Sequence, residues 1–153
     1  VKPMKYRSLI AVLVLFLLAA CNKDKFKTEP QVDIKSISPH TVYSGDILNM
    51  KAKYTDDEGD LDSLFLVYKW YNNTTVVRND TFRFAYSLLH LPANTREADF
   101  EITLEYNTQN TDLVKLSGVS NRDTTATFGV VLKDKAGHRS AYAEWDKIRL
   151  KKP

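Results

Sequence analysis

The 153-residue chain carries 22 lysines and arginines against 19 aspartates and glutamates, a single cysteine and a formal net charge of +3. One cysteine excludes an internal disulfide and a multi-cysteine metal site. The basic excess lies at the start: without Lys2, Lys5 and Arg7, 19 basic residues face 19 acidic ones, so charge gives no argument for nucleic-acid or anionic-lipid binding.

Lys5 and Arg7 form a cationic start, Leu9 to Leu18 is uninterrupted apolar sequence, and small residues then lead to Cys21. This is the layout of a cleaved export signal over residues 1–20, and the apolar run is shorter than the about 20 residues that span a bilayer. Leu18-Ala19-Ala20-Cys21 resembles the lipobox of bacterial lipoproteins. The resemblance implies cleavage before Cys21, a diacylglycerol on its thiol and a further acyl chain on the freed amine. Each buried methylene contributes about 0.8 kcal/mol and more than one chain gives stable anchoring, so Cys21 is the expected membrane attachment. The expected location is the envelope of a Gram-negative bacterium, at the outer membrane, because Asn22 stands where an aspartate is associated with inner-membrane retention. Surface and periplasmic orientations both stay open. Residues 21–31 are polar and end at Glu29-Pro30, a tether reaching about 35 Å at most.

Residues 32–153 form the predicted domain, and roughly 120 residues suffice for one core. There is no repeat and no helical periodicity of useful length. In Phe100-Glu101-Ile102-Thr103-Leu104-Glu105-Tyr106 every even position is apolar and every odd one polar, the signature of a strand with one wet face. Leu48, Met50, Ala52 and Tyr54 alternate in the same way, whereas Leu64 to Tyr71 and Phe128 to Leu132 are more continuously apolar, as central strands are. Turn-forming clusters separate seven predicted strands: Val32 to Ile37, Ile47 to Thr55, Leu64 to Tyr71, a bent one over Val76 to Leu89, Ala98 to Tyr106, Thr125 to Lys133, and Ala141 to Leu150. The pattern predicts an all-β, seven-stranded immunoglobulin-like β-sandwich, with Trp70, Phe100, Leu104 and Phe128 between the sheets.

Tyr54-Thr55-Asp56-Asp57-Glu58-Gly59-Asp60-Leu61 followed by Tyr68-Lys69-Trp70 resembles the B–C region of the PKD and cadherin-like branches of the immunoglobulin-like superfamily. Leu132-Lys133-Asp134-Lys135-Ala136-Gly137-His138-Arg139-Ser140 resembles their F–G hairpin. The resemblance covers two loops and their flanks. It implies a non-catalytic module for adhesion, spacing or ligand presentation.

Asp56, Asp57, Glu58, Asp60 and Asp62 crowd one loop, and Asp134 joins them if the B–C and F–G loops share a pole. Carboxylates at that density ligate Ca²⁺, which takes about six to eight oxygens, so Asp56, Asp57, Asp60, Asp62 and Asp134 are the candidate ligands. The competing reading is a solvated acidic turn neutralised by Lys133, Lys135, His138 and Arg139. No other cofactor is implied. His40, His90 and His138 are far apart, no Ser-His-Asp arrangement has a local signature, and no glycine-rich loop is present to cradle phosphate, so an enzyme is not expected.

Aromatic residues offer a further lead. With Ile148 and Leu150 inward, strict alternation turns Trp145 outward; a β-bulge near Asp146-Lys147 returns it to the core, and both remain open. Tyr71 is outward by the phase of Trp70. Trp145 and Tyr71 are therefore candidate ligand contacts, suited to a sugar or a protein partner. The long connection over 107–124 holds Leu113 and Leu116, which either contact a partner or form an extra edge strand. Asp62-Ser63-Leu64 and Asp123-Thr124-Thr125 resemble the short O-glycosylation motif of some Gram-negative exported proteins. The expected function is a membrane-anchored envelope lipoprotein whose non-catalytic domain binds or assembles with an envelope protein. The alternative is a glycan-binding accessory lipoprotein.

Overall fold

The computed structural model describes residues 27–107, 113–116 and 122–152, so Cys21, the apolar segment before it and part of the tether lie outside the described residues. The fold is all-β. Ten strands are described: β1 (Gln31–Ser38), β2 (Thr41–Val42), β3 (Ile47–Thr55), β4 (Leu61–Asn72), β5 (Thr75–Ala85), β6 (Glu97–Tyr106), β7 (Val114–Leu116), β8 (Thr124–Asp134), β9 (Ala143–Glu144) and β10 (Ile148–Leu150), with a short 3-10 turn over Tyr86–Leu89. One sheet runs β1-β3-β6-β7 and the other β2-β10-β8-β4-β5, with β9 also on β8.

Alternation in sequence becomes alternation in space because successive side chains leave a pleated strand on opposite faces. β3 buries Leu48, Met50, Ala52 and Tyr54, and β4 buries Leu64, Leu66, Tyr68 and Trp70. Trp70, Phe100, Leu104 and Phe128 are 1, 6, 0 and 0 % exposed. The buried residues of both sheets form a single cluster. Near its middle the Tyr68 ring stacks on Phe82 at 5.5 Å and on Phe128 at 6.1 Å, and meets Trp70 edge-on at 5.0 Å, geometries that aromatic quadrupoles favour.

The ten strands differ from the seven predicted in four places. After the cis Ser38–Pro39 bond, β2 joins the second sheet, parallel to β10; Pro39 has no N–H with which to continue the first ladder. The predicted strand over Val76 to Leu89 ends at Ala85 and pairs with β4. Val114–Leu116 adds a short strand parallel to β6. The last predicted strand is interrupted between Glu144 and Ile148, giving β9 and β10.

Register defines two poles. Gln31 lies opposite Thr55, and Leu61 opposite Asp134, so the chain entry, the turn at 56–60 and the hairpin after Asp134 share one end. The Asp57 amide donates to the Lys27 carbonyl at 3.1 Å, fixing the incoming chain there. Tyr71 lies opposite Thr125, and Thr124 opposite Leu150. The turn after β4, the start of β8 and the end of β10 therefore gather at the far pole.

Candidate functional site

At the entry pole the acidic turn is occupied with holding itself together. The Asp56 side chain, 0 % exposed, accepts the Asp60 amide at 3.0 Å, while its own amide donates to the Arg96 carbonyl at 2.8 Å. Gly59 has φ +66°, and a Cβ there would stand 2.8 Å from the Asn94 carbonyl oxygen, so the turn requires glycine. Asp57 pairs with Arg96, and Asp62 accepts from the Ser63 hydroxyl at 2.9 Å and Arg83 at 3.2 Å. Asp134, 1 % exposed, accepts the His138 amide at 2.8 Å and faces its Nδ1 at 2.8 Å.

These contacts direct most of the carboxylates to their own loops and neighbouring side chains; Asp56 Oδ1 and Asp60 Oδ1 are buried without a partner. Among the described residues, no group of three or more His, Cys, Asp or Glu is arranged to hold a metal ion. The structure therefore does not assemble the predicted Ca²⁺ set of Asp56, Asp57, Asp60, Asp62 and Asp134. Burial pushes the Asp56 carboxyl above its ordinary range; the Asp60 amide opposes the shift, and nearby Asp60, Glu58 and Asp134 add to it. The hydrogen bond to Asp134 holds the His138 imidazole above its usual value.

The far pole carries an open cleft of about 440 Å³. Its first wall is Tyr71, outward because Trp70 takes the buried phase, followed by Asn72 and Asn73. Asn73 adopts φ 56°, a left-handed conformation that asparagine tolerates and that the tight turn into β5 uses. Asp123, Thr124 and Thr125 line the second side, and Lys147 and Arg149 the third. Lys147 Nζ sits 4.3 Å from the Tyr71 ring centroid and 3.5 Å from the Asn73 carbonyl oxygen. Asp123 pairs with Lys151 and accepts the Lys152 amide at 3.0 Å; the Lys151 hydrogen bond chiefly lowers its carboxyl pKa. Among the described residues, neither Lys147 nor Arg149 has a carboxylate at ion-pair distance. Thr124 Oγ1 is buried without a hydrogen-bond partner, which is costly for a polar group.

The cleft continues into a hydrogen-bonded patch on the outer face of the second sheet. Glu144 Oε1 accepts from Lys69 Nζ at 2.9 Å, Thr127 Oγ1 at 2.7 Å and Tyr142 OH at 3.0 Å. Tyr71 OH lies 3.4 Å from Thr127 Oγ1, linking patch and cleft. Burial pushes the Glu144 carboxyl up, but its hydrogen bonds with Lys69, Thr127 and Tyr142 hold it below the ordinary glutamate value. The Tyr142 ring lies over Gly129, where a Cβ would meet it at 2.3 Å.

The predicted ligand contacts are dispersed. Tyr71 lines the cleft. Trp145 is turned inward at the interruption between β9 and β10: it packs against the core and its indole N–H is buried without a partner. Leu116 is 0 % exposed in β7 and presents no surface to a ligand, because the extra strand turns it into the core. Leu113 instead borders a separate groove of about 560 Å³ beside Phe84, Leu88 and Ile102. Ser63 and Thr124, from the two motifs resembling O-glycosylation sites, are 0 and 7 % exposed. Sequence reasoning missed Lys147 and Arg149 as a pair; strand alternation about the buried Ile148 turns Arg149 outward, while Lys147 lies in the irregular run before β10.

No family model matches the chain, and no curated protein matches it. Among solved structures, the sporulation control protein Spo0M from Bacillus subtilis aligns at 10% identity over 82% of this chain and 50% of its own, with a TM-score of 0.44. The DNA glycosylase AlkC of Pseudomonas fluorescens aligns at 13% identity over 81% of this chain and 31% of its own, with a TM-score of 0.45. A Niemann-Pick type C2 protein from the Japanese carpenter ant aligns at 10% identity over 86% of this chain and 98% of its own, also at 0.45. Likenesses at this level carry no argument about function.

Proposed function

We propose that this is a lipid-anchored envelope lipoprotein whose immunoglobulin-like domain is a non-catalytic binding module presenting its far pole to an envelope partner. The strand order supports the domain reading: β1, β3 and β6 share one sheet, and β4, β8 and β10 share the other. The observation that carries the functional reading is the polarity of the molecule. Lys27, six positions after the expected lipid attachment at Cys21, is hydrogen-bonded to Asp57 at the entry pole, whereas the cleft beside Tyr71 lies at the opposite end. A short tether at one pole directs the other outward.

A photo-crosslinking residue at Asn73 should capture a neighbour in intact cells, and the same residue at Lys135 should capture little. Equal capture at both positions would overturn the directional reading. Cys21→Ser should abolish incorporation of labelled palmitate; continued labelling would remove the anchor. A second reading, a glycan as the far-pole partner, is favoured by the cleft lining, which combines amides, hydroxyls and charges with one aromatic ring and no aliphatic side chain.

A further inference from the structure

We infer that the far-pole cleft binds an acidic saccharide through Lys147 and Arg149, an inference that rests on the glycan reading of the same cleft. The cleft's own carboxylate, Asp123, is hydrogen-bonded by Lys151 and the Lys152 amide and lies in the field of Arg149, and neither Lys147 nor Arg149 has a carboxylate at ion-pair distance among the described residues. Both line the cleft, on either side of buried Ile148. The Lys147 ammonium is held over the Tyr71 ring and near the Asn73 carbonyl, a placement that orients it without pairing it to a carboxylate. Arg149 contributes a planar fork suited to a carboxylate.

One feature points to a saccharide rather than an acidic peptide. No Ala, Val, Leu, Ile or Met side chain lines the walls to take up peptide side chains, while Asn72, Asn73 and Thr125 supply the donors and acceptors that a polyhydroxylated ligand requires.

Calorimetric titration of the full chain in non-ionic detergent tests this, using a short oligogalacturonate, its methyl ester and an oligoglutamate of matched length. The oligogalacturonate should bind, the ester and the oligoglutamate should bind at least about tenfold more weakly, and added salt should weaken the acidic saccharide. Arg149→Gln and Lys147→Gln should each lose about tenfold or more, and Arg149→Lys should recover part of that loss. The thermal midpoint of each variant, read in parallel, separates lost binding from lost fold. Equal binding of the ester, equal or better binding of the oligoglutamate, no binding at all, or indifference to Arg149→Gln each overturns the inference. Crosslinking from Asn73 is a separate readout: if it persists while oligogalacturonate fails to bind, the outward-facing module stands and the acidic-saccharide assignment falls.

Discussion

The two poles of the domain differ in how their charged side chains are paired. At the entry pole Asp56, Asp57, Asp62 and Asp134 each accept from a backbone amide or a neighbouring side chain of the protein, while Asp56 Oδ1 and Asp60 Oδ1 are buried without a partner. At the far pole two cations lack a carboxylate partner among the described residues, and one buried hydroxyl has no partner. A dense cluster of charge is therefore a poor guide to a site. What matters is whether its hydrogen-bonding capacity is already used within the fold.

The largest expected effect erases the contrast. Phe128 lies mid-strand in β8, whose ends carry Thr124 at the cleft and Asp134 at the turn. Phe128→Ala should cost about 3 to 5 kcal/mol and loosen both ends together; chemical denaturation measures it, and an unchanged midpoint would contradict the observed packing. Next, Asp134→Ala strands the His138 amide and should cost about 2 to 3 kcal/mol, since bonds to a buried carboxylate are among the stronger ones. A loss below about 0.5 kcal/mol would mean that the entry-pole carboxylates are not structural.

Gly129→Ala places a Cβ against the Tyr142 ring. The cost should be about 1 to 2 kcal/mol, toward the low end because Tyr142 is 41 % exposed and can move outward. Tyrosine fluorescence should report the displaced ring, and an unperturbed spectrum would contradict the close approach.

Asp56 supplies a pH-dependent comparison. Its folded carboxyl binds a proton more tightly than the ordinary value of 3.8. Native stability is therefore favoured below that value and declines as pH rises through the raised folded one. Asp56→Asn lacks this decline, so its melting midpoint should gain on that of the parent protein as pH rises above 3.8. A gap that stays constant over the range would unlink Asp56 from folding. The smallest effect is expected at the far pole: Arg149→Gln should change stability by less than about 0.5 kcal/mol, and a larger loss would make the cleft structural too.

Strand positions were legible because a half-buried strand writes its pleat into the sequence. Leu48 to Tyr54 and Phe100 to Tyr106 alternate on the page as they do in space. The same rule, applied to Ile148, turns Arg149 outward, whereas Lys147 lies in the irregular run before β10. It failed for Trp145 under strict alternation, because an interruption over 145–147 resets the phase between β9 and β10. Leu113 and Leu116 looked equivalent in the long connection; three residues of parallel pairing with β6 separated them, burying one and leaving the other at a groove.

By itself the sequence determined the all-β class, the inward phase of Trp70, Phe100, Leu104 and Phe128, and the presence of an acidic turn, because those depend on local periodicity and turn chemistry. Tertiary structure alone decided that β2 joins the sheet opposite β1, that β5 pairs with β4, and that Asp56, Asp57 and Asp62 take up partners within the protein while Lys147 and Arg149 line the cleft with Tyr71. Those outcomes depend on which distant backbone and side-chain groups meet, and hydrogen-bond capacity can be counted as used or unused only after they have met.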